Sequence, residues 1–363
     1  MSFAVGRNTP ATGLDSGLAQ PQIPIISGLR AIAVFLVILY HSGFSCVPGG
    51  LGVLIFFVIS GFLITWLLLK ESANRGSVSL TRFYARRSLR IFPAFYSYAI
   101  VTLTLLMVLK KHIDWPQTTA SLVYASNYYQ AIFGDPSTAF SHTWSLGIEE
   151  QFYLCWPALF VALRHRQRLL MQTAAALIGG VWVYRFVLKF VFHVWQGYFY
   201  EAFDTRMDHL LIGCLLALLL FHFRGHRAWN LICERPMLTL FMIGLLLLSV
   251  AAEIYWADLY RDTWGFIVNP VLCALLIPQL ISLRGSTLVR WLDMPLVQYL
   301  GTISYSLYLY QQIVLEPVRK AVRFTPFPVQ VAVSICVLIA VASGSYYLIE
   351  KPFLRLKQKR FRS

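Results

Sequence analysis

The sequence predicts an all-α, polytopic transmembrane helical bundle of about ten spans, and three observations predict it. The first is composition: of 363 residues, 58% are hydrophobic and 13% charged, where soluble domains carry about 25% charge, and mean hydropathy is +0.62. The second is a series of apolar runs long enough to cross a bilayer. The third is an uneven distribution of Lys and Arg along the chain.

Residues 1–24, rich in Gly, Pro, Ala, Gln and Thr, read as a flexible cytoplasmic tail. They have a single basic residue, Arg7, and no apolar core of their own, so they are not expected to be a cleavable signal. Apolar runs then follow at about 25–44, 51–69, 91–109, 149–163, 170–192, 206–223, 236–256, 264–282, 297–315 and 329–349. The run 149–163 is the weakest, being short and opening on two carboxylates, and 118–133, with Asn127, Tyr128, Tyr129 and Gln130, suits an interface better than a span. Residues 25–352 form one membrane domain, and 353–363 are a basic cytoplasmic tail.

Ten spans put both termini on one side. If that side is the cytoplasm, 21 of the 31 Lys and Arg lie on it, nine lie on the other side or its adjoining helix ends, and Arg30 lies within the first span. Glu201, Asp204, Asp208, Glu253, Asp258 and Asp262 lean the other way. This asymmetry accounts for the net charge of +15 without nucleic acid, which is not an expected partner; membrane lipid is. The six cysteines are scattered, with no CxxC pair and no His at metal spacing, so neither a metal site nor a disulfide framework is expected.

Within the first span, ISGLRAIAVFLVILYHSGF, Arg30 and His41 are eleven residues apart. In a helix that is about 20° past three turns and about 16 Å along the axis, so both side chains share one stripe. Ionisable groups inside a span are expensive unless they face a polar cavity, which makes this stripe a candidate site. The plainer reading is a structurally satisfied His and an Arg that reaches to headgroups.

In the first basic loop, RFYARRSLRIFPAFY bunches Arg86, Arg87 and Arg90 on neighbouring helical faces. Guanidinium forks match phosphate oxygens, whereas the plainer reading is an orientation signal flanking a span. In SHTWSLGIEEQFYLCWP, Glu149 and Glu150 start the fourth span. Either carboxylate could orient a histidine or grip an acceptor hydroxyl, or simply complement a helix N-terminus capped by Ser145. His142 is an alternative base, and Trp144 a candidate substrate-binding residue beside it. Gly49, Gly50, Gly52 and Gly61 suit a tight turn and close helix packing. Arg206 and Asp208 of TRMDHLLIG are candidates for substrate binding, or a local ion pair. The tyrosines of SYSLYLYQ suit an interfacial belt or a sugar-stacking wall.

These stretches together resemble the acyltransferase-3 family of integral-membrane acyltransferases, which includes bacterial O-antigen and exopolysaccharide O-acetylases. The resemblance runs in family order through SGLRAIAVFLVILYH, GVLIFFVISGFLIT, RRSLRIFPAFY, HTWSLGIEEQFYLCWP, RMDHLLIG, LGTISYSLYLYQ and YYLIEKPFLR. It implies an essential histidine, here His41, paired with Arg30. It also implies an RxxR motif, Arg87 to Arg90, that engages an acyl-coenzyme A donor, and a carboxylate carried by Glu149 with Glu150 beside it. Two positions depart from the family pattern: Ser27 where members usually have Asp, and Tyr310–Gln311 where many have a histidine. Larger members carry an appended hydrolase-like domain, which is not expected here.

The resemblance implies an enzyme of the inner (plasma) membrane that moves an acyl group, acetyl above all, from acyl-coenzyme A as co-substrate to a hydroxyl of a carbohydrate or glycolipid acceptor, with no permanently bound cofactor. Read from the residues without it, Arg, His and Glu inside a bundle suit a proton-coupled transporter or a lipid-linked sugar flippase equally well.

Overall fold

The computed structural model describes residues 13–20, 23–223 and 225–361. Ten long helices carry the architecture: α1 Pro24–His41, α2 Gly49–Arg75, α3 Leu80–Val108, α4 Trp144–Leu163, α5 Gln167–Phe190, α6 Phe203–Phe223, α7 Pro236–Tyr260, α8 Phe266–Ser282, α9 Ser304–Ala321 and α10 Phe327–Ser345. There is no strand among the described residues. Seven helical segments of the described residues are long and apolar enough to cross a membrane, one of them the 47-residue run Pro236–Ser282 that contains both α7 and α8. Helices α4 and α9 fall outside that set. Glu149, Glu150 and Gln151 interrupt the first, and Gln311, Gln312 and Glu316 the second.

Local chemistry sets the element ends. Helix α2 stops where Gly76 takes a left-handed conformation (φ 67°), a backbone state without cost for glycine. Helix α3 starts where Ser79 Oγ accepts the Arg82 N–H at 3.3 Å. The interfacial stretch becomes two eight-residue helices, Trp115–Leu122 and Ser126–Phe133, the first capped by Asp114. Between α7 and α8 the chain breaks at Ala257 (φ 45°) and passes through a π turn, Arg261–Gly265.

Both end segments carry helix. Within the segment read as a flexible tail, Gly13–Ala19 form a helix with Leu14 and Leu18 buried, packed on α8. The apolar pair lies four residues apart and Gly17 permits the close approach, since a Cβ there would sit 2.4 Å from Ile281. Residues 1–12 and 21–22 lie outside the described set. The basic segment at the other end is helical over Lys351–Arg360 and packs against α3, while residues 362–363 lie outside the described set.

The centre of the bundle is α2, which packs on α1 and α6. The run of α2 and α6 is parallel: Arg206 lies over Phe57 and Phe221 over Trp66. Glycine makes the crossing tight. A Cβ on Gly61 would lie 1.9 Å from the Leu210 carbonyl oxygen, and one on Gly213 would lie 2.1 Å from that of Val58. Gly52 does the same against Ala33 of α1, at 2.3 Å. Small residues are what let helix backbones touch where lipid removes the hydrophobic drive between helices. The outer faces stay apolar and open, as with Ile100 and Met107 on α3 and Leu247 and Leu248 on α7.

Helices α5 and α6 are tied by a buried ion pair. Arg185 donates to both oxygens of Asp208 at 2.9 and 2.8 Å, and Trp182 donates to the same carboxylate at 3.0 Å. Arg206 is thus not the partner of Asp208, because residues two apart on a helix do not face each other. Arg185→Met alone strands a buried carboxylate and should destabilise the protein by roughly 3–5 kcal/mol. Arg185→Met with Asp208→Leu removes both charges and should recover much of that loss in detergent thermal unfolding. Equal melting of the single and double variants would contradict a role for this pair in stability.

Candidate active site

Helix α1 carries Arg30 near its start and His41 at its end. Both are half-buried. Eleven residues of helix separate them by about 16 Å on one stripe, and each end of the stripe has its own set of polar neighbours.

At the Arg30 end, charges from four elements converge. Arg30 shares its electrostatic surroundings with Arg87 and Arg90 of α3, Glu149 of α4, and Glu350 of the π turn Tyr346–Glu350. Arg87 stacks its guanidinium on the Tyr153 ring at 3.5 Å, and its Nε has no hydrogen-bond partner. Glu149 accepts a hydrogen bond from Ser60 Oγ at 2.6 Å, Glu150 lies in the field of Arg87 and Glu149, and Ser306 donates to Glu350. Arg86 is different, because Glu71 holds it at 2.5 Å. Of the three clustered arginines, Arg86 is tied to α2, whereas Arg87 and Arg90 face the shared cluster.

At the His41 end the neighbours are Asp135 and His142. His142 sits in the short turn Ser141–Thr143, fully enclosed. Burial and the nearby His41 push its imidazole down to about 3, so it stays neutral at neutral pH. Tyr308 Oη donates to the His142 carbonyl at 2.9 Å and exchanges a hydrogen bond with Ser145 Oγ at 2.6 Å. Tyr310 packs edge-on against Tyr98, which also packs edge-on against His142. Both Tyr308 and Tyr310 are buried, so they wall the histidine end and do not form an interfacial belt. Ser145 serves this contact and does not cap α4.

The alignment of α4 with α2 shows where the carboxylates sit. Trp144 meets Phe57, Glu149 meets Ser60, and Trp156 donates to Thr65 at 2.8 Å. Glu149 is thereby placed at the level of Arg30, with the arginines, while Asp135 occupies the surroundings of His41. Trp144 packs instead at a tilt against Tyr200, with ring centroids 5.0 Å apart, and lies 6.0 Å from the Arg206 guanidinium.

Four members of the site carried no role in the sequence reading: Ser60, Asp135, Tyr153 and Glu350. Ser60 and Glu350 lay in stretches singled out for other reasons, VISGF and YYLIEKP. Asp135 had no local signal, being in a loop that only the fold brings to His41.

A family described as an acyltransferase domain, the acyltransferase-3 group, matches residues 23–349. Among known proteins, "O-acetyltransferase OatA" of Staphylococcus aureus (strain NCTC 8325 / PS 47) is 32% identical, over 96% of this chain and 60% of the relative. "Peptidoglycan O-acetyltransferase OatA" of Listeria monocytogenes is 31% identical, over 92% of this chain and 56% of the relative. "Putative peptidoglycan O-acetyltransferase YrhL" of Bacillus subtilis (strain 168) is 33% identical, over 94% and 56%. The chain spans about three-fifths of the length of these relatives. No solved structure matches it.

Proposed function

Because the chain belongs to the acyltransferase-3 family, we propose that it is an integral-membrane O-acetyltransferase, taking acetyl from acyl-coenzyme A and delivering it to a hydroxyl of a cell-envelope glycan. Peptidoglycan is the first acceptor to test, since two of the similar proteins are named for it. The membrane is the inner (plasma) membrane, where coenzyme A thioesters are available from the cytoplasm.

One observation carries this reading: two arginines without an ion pair among the described residues, Arg87 and Arg90, join Arg30 at one end of a stripe that has His41 at the other. The cluster binds the donor phosphates, for which guanidinium forks are suited. The roughly 16 Å of helix between the ends matches the reach of an extended pantetheine arm, which then runs past Arg30 to bring the thioester to His41. There the imidazole removes the proton of the acceptor hydroxyl as it attacks the thioester carbonyl, and coenzyme A leaves as the thiol. An acyl-histidine is the covalent variant of the same step. Glu149, set among the arginines and bonded to Ser60, orients the donor-binding groups.

The test is acceptor-dependent release of coenzyme A by the purified protein in detergent, where no gradient exists. Release with peptidoglycan fragments supports transfer; no release with any glycan, together with uptake into vesicles, would point to transport. Arg87→Gln and Arg90→Gln should each raise the KM for acyl-coenzyme A at least about tenfold, the scale of one lost charge-assisted contact. Arg86→Gln should leave it within about twofold, because Arg86 is spent on Glu71. A uniform effect of all three would remove the distinction drawn between them.

A further inference from the structure

A second polar site lies beyond the histidine. At the Gly50 end of α2, Tyr200, Arg206, Glu253, Arg261, Phe266 and Asn269 line a small, partly enclosed cavity of about 20 Å³. Arg206 is 1% exposed, and neither its Nε nor its Nη1 has a hydrogen-bond partner. Four rings hold it flat: Phe266 at 4.0 Å, Tyr200 at 5.0 Å, Phe57 at 5.9 Å and Trp144 at 6.0 Å.

Each nearby carboxylate bonds another residue, and none accepts a hydrogen bond from Arg206 among the described residues, although Glu253 shares the cavity with it. Asp208 is held by Arg185 and Trp182. Glu253 takes the Asn269 amide at 2.6 Å, leaving Asn269 Oδ1 without a partner. Asp258 and Asp262 pair with Arg261. Aromatic faces stabilise a cation but do not satisfy its N–H groups, and buried N–H donors without an acceptor are costly. Size narrows the missing partner. At about 10–15 Å³ per water, the cavity has room for one or two waters' bulk, the scale of the two oxygens of a carboxylate.

We infer that Arg206 is the anchor for a carboxylate carried by the acceptor, so that the preferred acceptor is an acidic glycan and not a neutral one. This rests on the acetyl-transfer reading for the word acceptor, but the site itself does not. The position suits the role. Trp144, whose ring lies 6.0 Å from the Arg206 guanidinium, is followed directly by Ser145, which bonds Tyr308 against His142, so the anchor and the histidine are joined by one wall. The side chain of Asn269, with its free Oδ1, is placed to accept from a neighbouring sugar hydroxyl.

The test uses N-acetylmuramic acid and its carboxamide, equal in shape and different in charge, titrated onto the full chain in detergent with no acyl-coenzyme A present. Tryptophan fluorescence reports binding through Trp144. The acid should bind at least about tenfold more tightly than the amide, the worth of one charged hydrogen-bonded contact. Arg206→Gln should reduce that preference below about twofold, and Arg206→Lys should retain part of it. Equal binding of acid and amide by the wild-type chain, no binding of the acid, or an unchanged preference in Arg206→Gln would each overturn the inference. Since no acetyl transfer is involved, failure of the coenzyme A release assay and failure of this one are separate results.

Discussion

His41→Ala is expected to lower acceptor-dependent release of coenzyme A by about 10²–10⁴-fold, the usual range for a positioned general base. The protein should still fold, because the side chain sits at the end of α1, half-buried, and bonds no second element among the described residues. Donor binding should change little, since Arg87 and Arg90 lie at the other end of the stripe. Stopped-flow thiol detection separates these terms: kcat falls and the KM for acyl-coenzyme A stays within a few-fold. A variant that keeps more than a tenth of the wild-type rate would remove His41 from the chemistry. His142→Ala is the companion measurement, since its imidazole lies in the electrostatic surroundings of His41.

Gly61→Ala is expected to disrupt the bundle although it adds one methyl group. The new Cβ would lie 1.9 Å from a backbone carbonyl oxygen of α6, and a backbone cannot rotate aside as a side chain can. The α2–α6 crossing must open, which separates Phe57 from Arg206 and shifts Ser60 relative to Glu149, so stability and activity fall together. Overpacking of this kind costs typically about 1–3 kcal/mol and more when backbone is struck. Gly244→Ala is the control in α7, where nothing lies within 4 Å of the added atom; it should be neutral or stabilise by about 0.5–1 kcal/mol through helix propensity. Melting temperatures in one detergent compare the two directly. Similar behaviour of both variants would refute close packing at Gly61.

The difference between these glycines was only partly legible in the sequence. Gly61 lay in a glycine-bearing apolar run, which suggested close packing, but Gly213 and Gly244 had much the same local context. Which neighbour each one faces is a property of helix rotation and partner choice. The same limit applies to charge. A count of Lys and Arg cannot distinguish Arg86, paired with Glu71, from Arg87, stacked on Tyr153, because the partners come from α2 and α4. The ion pair expected between Arg206 and Asp208 fails for this reason: the better partner, Arg185, comes from another helix.

By itself the sequence determined the all-helical membrane class, the places where apolar runs begin and end, and the stripe that joins Arg30 to His41. These depend on composition and on the 3.6-residue period, which are local quantities. The tertiary structure decided which groups stand near each other: Glu149 with the arginines, Asp135 and His142 with His41, and Arg206 in an aromatic box that leaves its Nε and Nη1 without an acceptor among the described residues. Hydrogen bonds and close ion pairs need their groups within a few ångströms, so they depend on contacts between residues far apart in the chain, and only the packed bundle specifies those.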